Sequence, residues 1–200
     1  MIRIIKKIPK SVTIACSGGL DSISITNFLR EGKRDISLAF FNHDTAHSKE
    51  AQLFLEEYAN SNNMNLHIGF IKSTKGKRSM EEFWRDERYK FFDRINPDFL
   101  ITCHHLDDAV ETWVMSSMHG TPKLIPYKRS SNIFRPFLMT SRKTLEEYAN
   151  KRNLKWIEDP SNSGTEYTRN YIRNIMMPHI TKINPGIRSM IRKKMVETYL

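Results

Sequence analysis

The stretch "IACSGGLDSISITNFL" (residues 14–29) joins the end of an apolar run to an amphipathic segment through two glycines, two serines and an aspartate. It reads as a strand, a tight turn and a helix start, and the free N–H groups of a helix start attract anions. Gly18 and Gly19 permit backbone angles and close approaches that a Cβ would forbid. The Ser17 and Ser22 hydroxyls add hydrogen-bonding groups that can cradle phosphate oxygens. The turn is not GxxxxGK[ST], because no lysine follows the glycines, and it is not GxGxxG. Asp21 is its informative residue. A carboxylate beside phosphates is repelled unless a cation intervenes, so Asp21 points to Mg²⁺ or to a cationic second substrate. The same aspartate would also complement the helix dipole.

Outward from this turn, apolar runs rich in β-branched and aromatic residues recur: 12–16, 36–41, 66–71 and 99–103. Segments of helical period follow them at 21–30, 47–60, 79–95 and 106–118. Strands alternating with helices predict a parallel sheet built by right-handed crossovers. Nearly continuous apolar strands agree, because such a sheet is covered on both faces. A fifth strand is expected at "LKWIE" (154–158), after a helix over 141–152. Residues 119–136, with three prolines and a glycine, read as a loop, and two more helices are expected at 166–177 and 186–199. The expected fold is α/β: a doubly wound, mainly parallel five-stranded sheet with a basic helical C-terminal end. Residues 1–180 would form the catalytic domain and 181–200 a helical extension packed on it. Ligands in such sheets bind beyond the carboxyl ends of the strands, where the strand order reverses.

The net charge of +10 over 200 residues is unevenly spread, about +1 in residues 1–127 and about +9 in 128–200. That asymmetry fits a polyanionic partner, most often nucleic acid, or else a solubilising surface. No apolar run reaches the roughly 18 residues of a membrane span. The opening "MIRIIKKIPK" is too short and too charged for a signal peptide. Cys16 and Cys103 form no CxxC pair and read as reduced thiols of a cytoplasmic protein.

"TCHHLDDAVETW" (102–113) follows the fourth strand and opens a helix. Asp108 and Glu111, three apart, and Asp107 and Glu111, four apart, share a helix face. Asp108-x-x-Glu111 also fits a capping box, and the His104–His105 spacing is no standard zinc pattern.

SGGxDS after a first strand resembles the signature of the N-type ATP pyrophosphatases, and HHLDDAVET (104–112) is similar to the HHxDDxxET segment of tRNA(Ile)-lysidine synthases. "NHD" (42–44) resembles another motif of that family, with Asp44 where glycine is usual, and "EEFWRDERYKFF" (81–92) resembles its R-x-x-R-Y helix. "RPFL" (135–138), "WIEDPSN" (156–162), "RNYIRN" (169–174) and Pro178 resemble its later motifs. The resemblance implies ATP and Mg²⁺ as cofactors, and tRNA(Ile) with a CAU anticodon and L-lysine as partners. The C2 oxygen of the wobble cytidine would attack the α-phosphate of ATP, and lysine would then displace AMP. Ser17, Gly18, Gly19, Leu20, Asp21, Ser22, His43 and His105 would hold the nucleotide, with Asp21 on Mg²⁺. Asp21, Arg85, Arg88, Asp108 and Glu111 would be catalytic. Asp108 and Glu111 would also grip lysine's amino groups, one of them acting as base. Asp159, Asn162, Arg169, Asn170 and Arg173 would contact lysine or tRNA, and Lys182, Arg188, Arg192, Lys193 and Lys194 the tRNA phosphates. Many members carry further tRNA-binding domains, so a chain ending at Leu200 is expected to be a short form. The alternatives are a tRNA 2-thiolase, a chemistry that normally leans on cysteines, and a non-catalytic nucleotide- or RNA-binding relative.

Overall fold

The computed structural model describes residues 1–200 apart from the side chain of Asn162, so the contact expected of Asn162 lies outside the described residues. Five parallel strands, β1 (Ser11–Ala15), β2 (Asp35–Asn42), β3 (Asn65–Phe70), β4 (Leu100–Thr102) and β5 (Ile133–Phe134), stand in the order β3-β2-β1-β4-β5. The helices are α1 (Leu20–Glu31), α2 (Ala46–Ser61), α3 (Met80–Ile95), α4 (Leu106–Met118), α5 (Arg142–Lys151), α6 (Thr168–Tyr171), α7 (Met177–Ile183) and α8 (Ile187–Tyr199). The sheet grows outward from β1 in one direction through β2 and β3, then in the other through β4 and β5. The reversal falls between β1 and β4, where Ala15 pairs in register with Ala39 on one side and Thr102 on the other. A crevice therefore opens at the carboxyl ends of β1 and β4.

Alternate residues of β1 serve opposite faces, as a buried parallel strand requires. Ile14 packs with Ile23, Leu29, Leu38, Leu55 and Leu145, while Ala15 faces Phe41, Phe91, Phe92 and Ile133. Gly69 of β3 lies under the Phe91 ring, where a Cβ would come within 2.4 Å of it. A third cluster joins Val110 and Val114 of α4 to Ile187, Ile191 and Met195 of α8, so the basic C-terminal helix shares a core with the rest of the chain.

The sheet is parallel and five-stranded as expected, but its fifth strand is not the predicted one. It is Ile133–Phe134, inside the stretch read as a loop, pairing with Leu100 and Ile101. Residues 154–158 form no strand. Trp156 and Ile157 pack on the core beside α1, and the Ile157 N–H donates to the Gly18 carbonyl at 2.9 Å. The apolar alternation of "LKWIE" thus serves a strap across the glycine turn. The helix expected over 166–177 is α6, a π-type turn at Ile172–Met176, and α7. Asp44 takes the left-handed conformation (φ 58°), one that glycine adopts most readily. Its N–H donates to Asn42 Oδ1 at 2.7 Å.

Candidate active site

The turn after β1 wraps the start of α1. Gly18 has φ +82°, a conformation open to glycine, and Gly19 is the N-cap of α1. Ser22 Oγ donates to the Gly19 carbonyl at 3.0 Å and accepts from Ser17 N–H at 3.2 Å, which folds the turn back on the helix. The first-turn N–H groups of Leu20, Asp21 and Ser22 precede any carbonyl within the helix, so they are donors awaiting an acceptor.

Across the crevice, His105 caps α4, and the capping box is His105 with Asp108, displaced from the Asp108–Glu111 pairing that spacing suggested. The His105 ring stands between two carboxylates, with Nε2 3.5 Å from Asp21 Oδ2 and Nδ1 3.4 Å from Asp108 Oδ2. Burial alone would push its pKa down; Asp108, Asp21 and Asp107 outweigh burial and raise it to about 9. Neutral, the ring accepts the Asp108 N–H on Nδ1 at 3.3 Å as the cap of α4; protonated, it gives up that bond and turns an N–H toward each of the two carboxylates. Asp108 is opposed by burial but is held well below the usual carboxylate range by His105 and Arg169. Buried His104 is pushed the other way, to about 3, and is neutral, as is His43, lowered to about 4 by burial and by Arg88.

Arg169 and Arg173 reach this cluster from the π-turned helix. Arg173 donates from Nε to Glu111 Oε1 (2.7 Å) and from Nη2 to Glu111 Oε2 (2.9 Å) and Asp108 Oδ1 (3.1 Å). Arg169 lies 3.4 Å from both Asp108 Oδ1 and Glu111 Oε2. Asp107 turns away: it accepts from the Arg142 N–H at 2.8 Å and from Arg188 Nε at 2.7 Å. Asp21, Asp107, Asp108 and Glu111 are thus matched by His105, Arg169, Arg173 and Arg188, and the network is close to neutral.

These groups border one cleft of about 1200 Å³. Ser17, Gly19, Leu20, Asp21, Ser22, His43, Arg88, His105, Asp108, Asp159, Arg169 and Arg173 all line it. Four expected site residues do not. Gly18 sits beneath the turn against Phe54 and Leu55. Glu111 is buried behind Asp108, held by the two arginines. Arg85 lies on the exposed side of α3, 5.6 Å from the Tyr89 ring. Asn170 donates to the Ser161 carbonyl at 2.8 Å and fastens the loop that carries Asp159. Of the cations expected to face RNA, Arg188 is bound to Asp107, and Lys194 lies 5.2 Å over the Trp113 ring. Trp84, Tyr89, His47 and Ile157 also line the cleft and were missed. Trp84 and Tyr89 lie within the R-x-x-R-Y helix, α3.

Asp21 Oδ1 is buried and has no hydrogen-bond partner, so this carboxylate would suit a cation that neutralises phosphate charge. Among the described residues no group of three or more His, Cys, Asp or Glu side chains could hold a metal by itself. No helix among them is long and apolar enough to cross a membrane.

The chain is similar to a tRNA(Ile)-lysidine synthase of Persephonella marina, 32% identical over 196 residues that cover 90% of this chain and 43% of the relative. Another tRNA(Ile)-lysidine synthase, from Legionella pneumophila strain Paris, is 34% identical over 200 residues, with 92% and 46% covered. The chain therefore spans under half the length of these relatives. Among solved structures it shares its fold with the U34-tRNA thiolase NcsA of Methanococcus maripaludis, with a TM-score of 0.74 at 17% identity over 96% of this chain and 74% of that one. Residues 3–180 match the family described as the PP-loop domain, and with its glycine turn at the β1–α1 junction the chain belongs to that family.

Proposed function

We propose that this chain converts the wobble cytidine of a tRNA(Ile) with a CAU anticodon to lysidine. The C2 oxygen of the base attacks the α-phosphate of ATP and diphosphate leaves; the ε-amine of L-lysine then attacks C2 and AMP leaves. The observation that carries this reading is the chain Asp21–His105–Asp108, which ties the phosphate-binding turn to the acidic helix across one cleft. Relatives 32% and 34% identical to this chain bear the lysidine synthase name, and both motif blocks are intact.

The first step asks for positioning and charge neutralisation around the phosphates. The α1 N-terminus with Ser17 and Ser22 would hold diphosphate, and Asp21 would hold Mg²⁺, which supplies charge neutralisation there. The second step starts from an ammonium whose pKa in water is about 10.4. Asp108 stays ionised at any working pH and so serves as a charge partner for that ammonium; a carboxylate held so low is a poor base. Glu111 acts behind it by fixing Arg173 and Arg169. The attacking species is then the small fraction of neutral amine in equilibrium with bulk solvent, which takes up the proton before attack. A thiolase reading draws little support from two thiols, one of them buried.

Incubation with ATP, Mg²⁺, radiolabelled lysine and tRNA(Ile) bearing CAU tests the proposal. Label entering the RNA is expected. Sulfur transfer, or ATP and RNA binding without label, would replace it with one of the other readings.

A further inference from the structure

We infer that Arg85, Arg88 and Arg129, gathered around Tyr89 on the α3 wall of the cleft with buried Arg135 behind them, form a track for the backbone phosphates of a single-stranded RNA loop whose reacting nucleotide enters the cleft. This deepens the tRNA reading above and rests on it. On α3, Arg85, Arg88 and Tyr89 fall three and four residues apart and share one face. The other two arginines come from a hairpin closed by Arg135 N–H to the Tyr127 carbonyl (2.8 Å) and Arg129 N–H to the Ile133 carbonyl (2.9 Å). Its Asn132 is pinned to the Pro97 carbonyl at 3.2 Å. The Arg129 guanidinium lies 3.8 Å over the Tyr89 ring, with Arg85 at 5.6 Å and Arg88 at 5.9 Å. Arg135, 3% exposed, bonds Tyr89 and the Pro126 carbonyl, and its Nε has no partner.

None of the four pairs with a carboxylate among the described residues, whereas Arg169, Arg173 and Arg188 all do. Their charges repel one another. Burial lowers the Arg88 pKa first, and Arg85 and Arg129 lower it further against the opposing pull of Tyr89 and Glu81. Guanidinium groups held together without an acid suit an anion of several charges in a row. The track also has direction. Arg88 and Tyr89 line the cleft, while Arg85 and Arg129 stand exposed outside it. A triphosphate inside the cleft would engage Arg88; reaching Arg129 as well takes a longer polyanion. With Arg129 over its ring, Tyr89 supports a cation, so the track senses phosphate charge more than base identity.

The test is binding of a fluorescein-labelled RNA stem–loop with a CAU loop to the 200-residue chain, titrated across salt concentrations without ATP. Arg129→Ala and Arg85→Ala should each weaken binding about threefold to tenfold and flatten the log–log salt slope by about 0.7 per lost phosphate contact. Arg129→Lys should restore part of the loss, Lys151→Ala on α5 should change nothing, and ATP affinity should hold in all four. Unchanged RNA affinity and slope in both alanine variants would overturn the track, as would a wild-type chain that fails to bind the stem–loop. A parallel loss of ATP affinity would overturn it too, reassigning the cluster to the nucleotide. Lysine incorporation separates the two ideas. A chain that binds RNA through these arginines but adds no lysine keeps the track and loses the reaction. Normal incorporation with unaltered RNA binding in the variants does the reverse.

Discussion

With Asp21 on one side and Asp108 on the other, the His105 ring keeps a proton that burial alone would remove, and this makes the link between the two turns pH-dependent. A raised pKa contributes stability in full below the unfolded value near 6.5 and loses it as pH climbs through about 9. Urea unfolding of the wild type should therefore fall more steeply with pH than that of His105→Gln, by up to about 1.4 kcal/mol per pH unit across that window. Parallel pH profiles would show that the ring is neutral in the folded chain. Glu111→Gln should weaken lysine transfer while adenylation stays measurable, because the change loosens Arg173 and leaves the glycine turn untouched. Equal loss of both steps in single-turnover assays would contradict that division. Residue types announced much of this: Ser, Gly and Asp after a strand, and two acids on one helix face. The partners of Asp108 were not legible, since Arg169 and Arg173 lie 61 and 65 residues away and only the folded chain brings them close.

Elements explain why some residues sit where they do. The π-type turn at Ile172–Met176 carries Arg173 and offsets it from a regular helix, a local rearrangement common at functional sites. β3 and α3 approach so closely that Gly69 leaves no room for a side chain against Phe91. Gly69→Ala should cost about 1–3 kcal/mol through overpacking, read as a lower urea midpoint at unchanged slope. An unaltered midpoint would mean that Phe91 swings aside freely. Long strands with clear apolar runs were legible. β5 was not, because two apolar residues between Asn132 and Arg135 carry no periodicity, and its place is set by pairing with Leu100 and Ile101. The strap at 154–158 had the opposite fault. It carries a strand-like pattern, yet no free sheet edge receives it, and its role is to close over Gly18 through Ile157.

At the scale of the whole molecule, the basic end is both structure and surface. Ile191 is fully buried between α8 and α4, so Ile191→Ala should cost about 2–4 kcal/mol. Fluorescence and circular dichroism should still report a single coincident transition. Two separate transitions would mean that α8 folds apart from the sheet. The uneven charge of the sequence pointed to a polyanion, but composition could not tell neutralised arginines from free ones. Arg169, Arg173 and Arg188 are spent on carboxylates, while the unpaired cluster around Tyr89 combines α3 with a distant hairpin. The sheet order, with β1 beside β4, is what lets the glycine turn and the acidic helix border one cleft. The most direct test of that joint site is the fate of ATP labelled at its α-phosphate, followed with and without tRNA(Ile) and lysine. AMP and diphosphate should form in step with lysine entering the RNA, and only when the RNA is present; ADP as product, or AMP released at the same rate without RNA, would contradict the account.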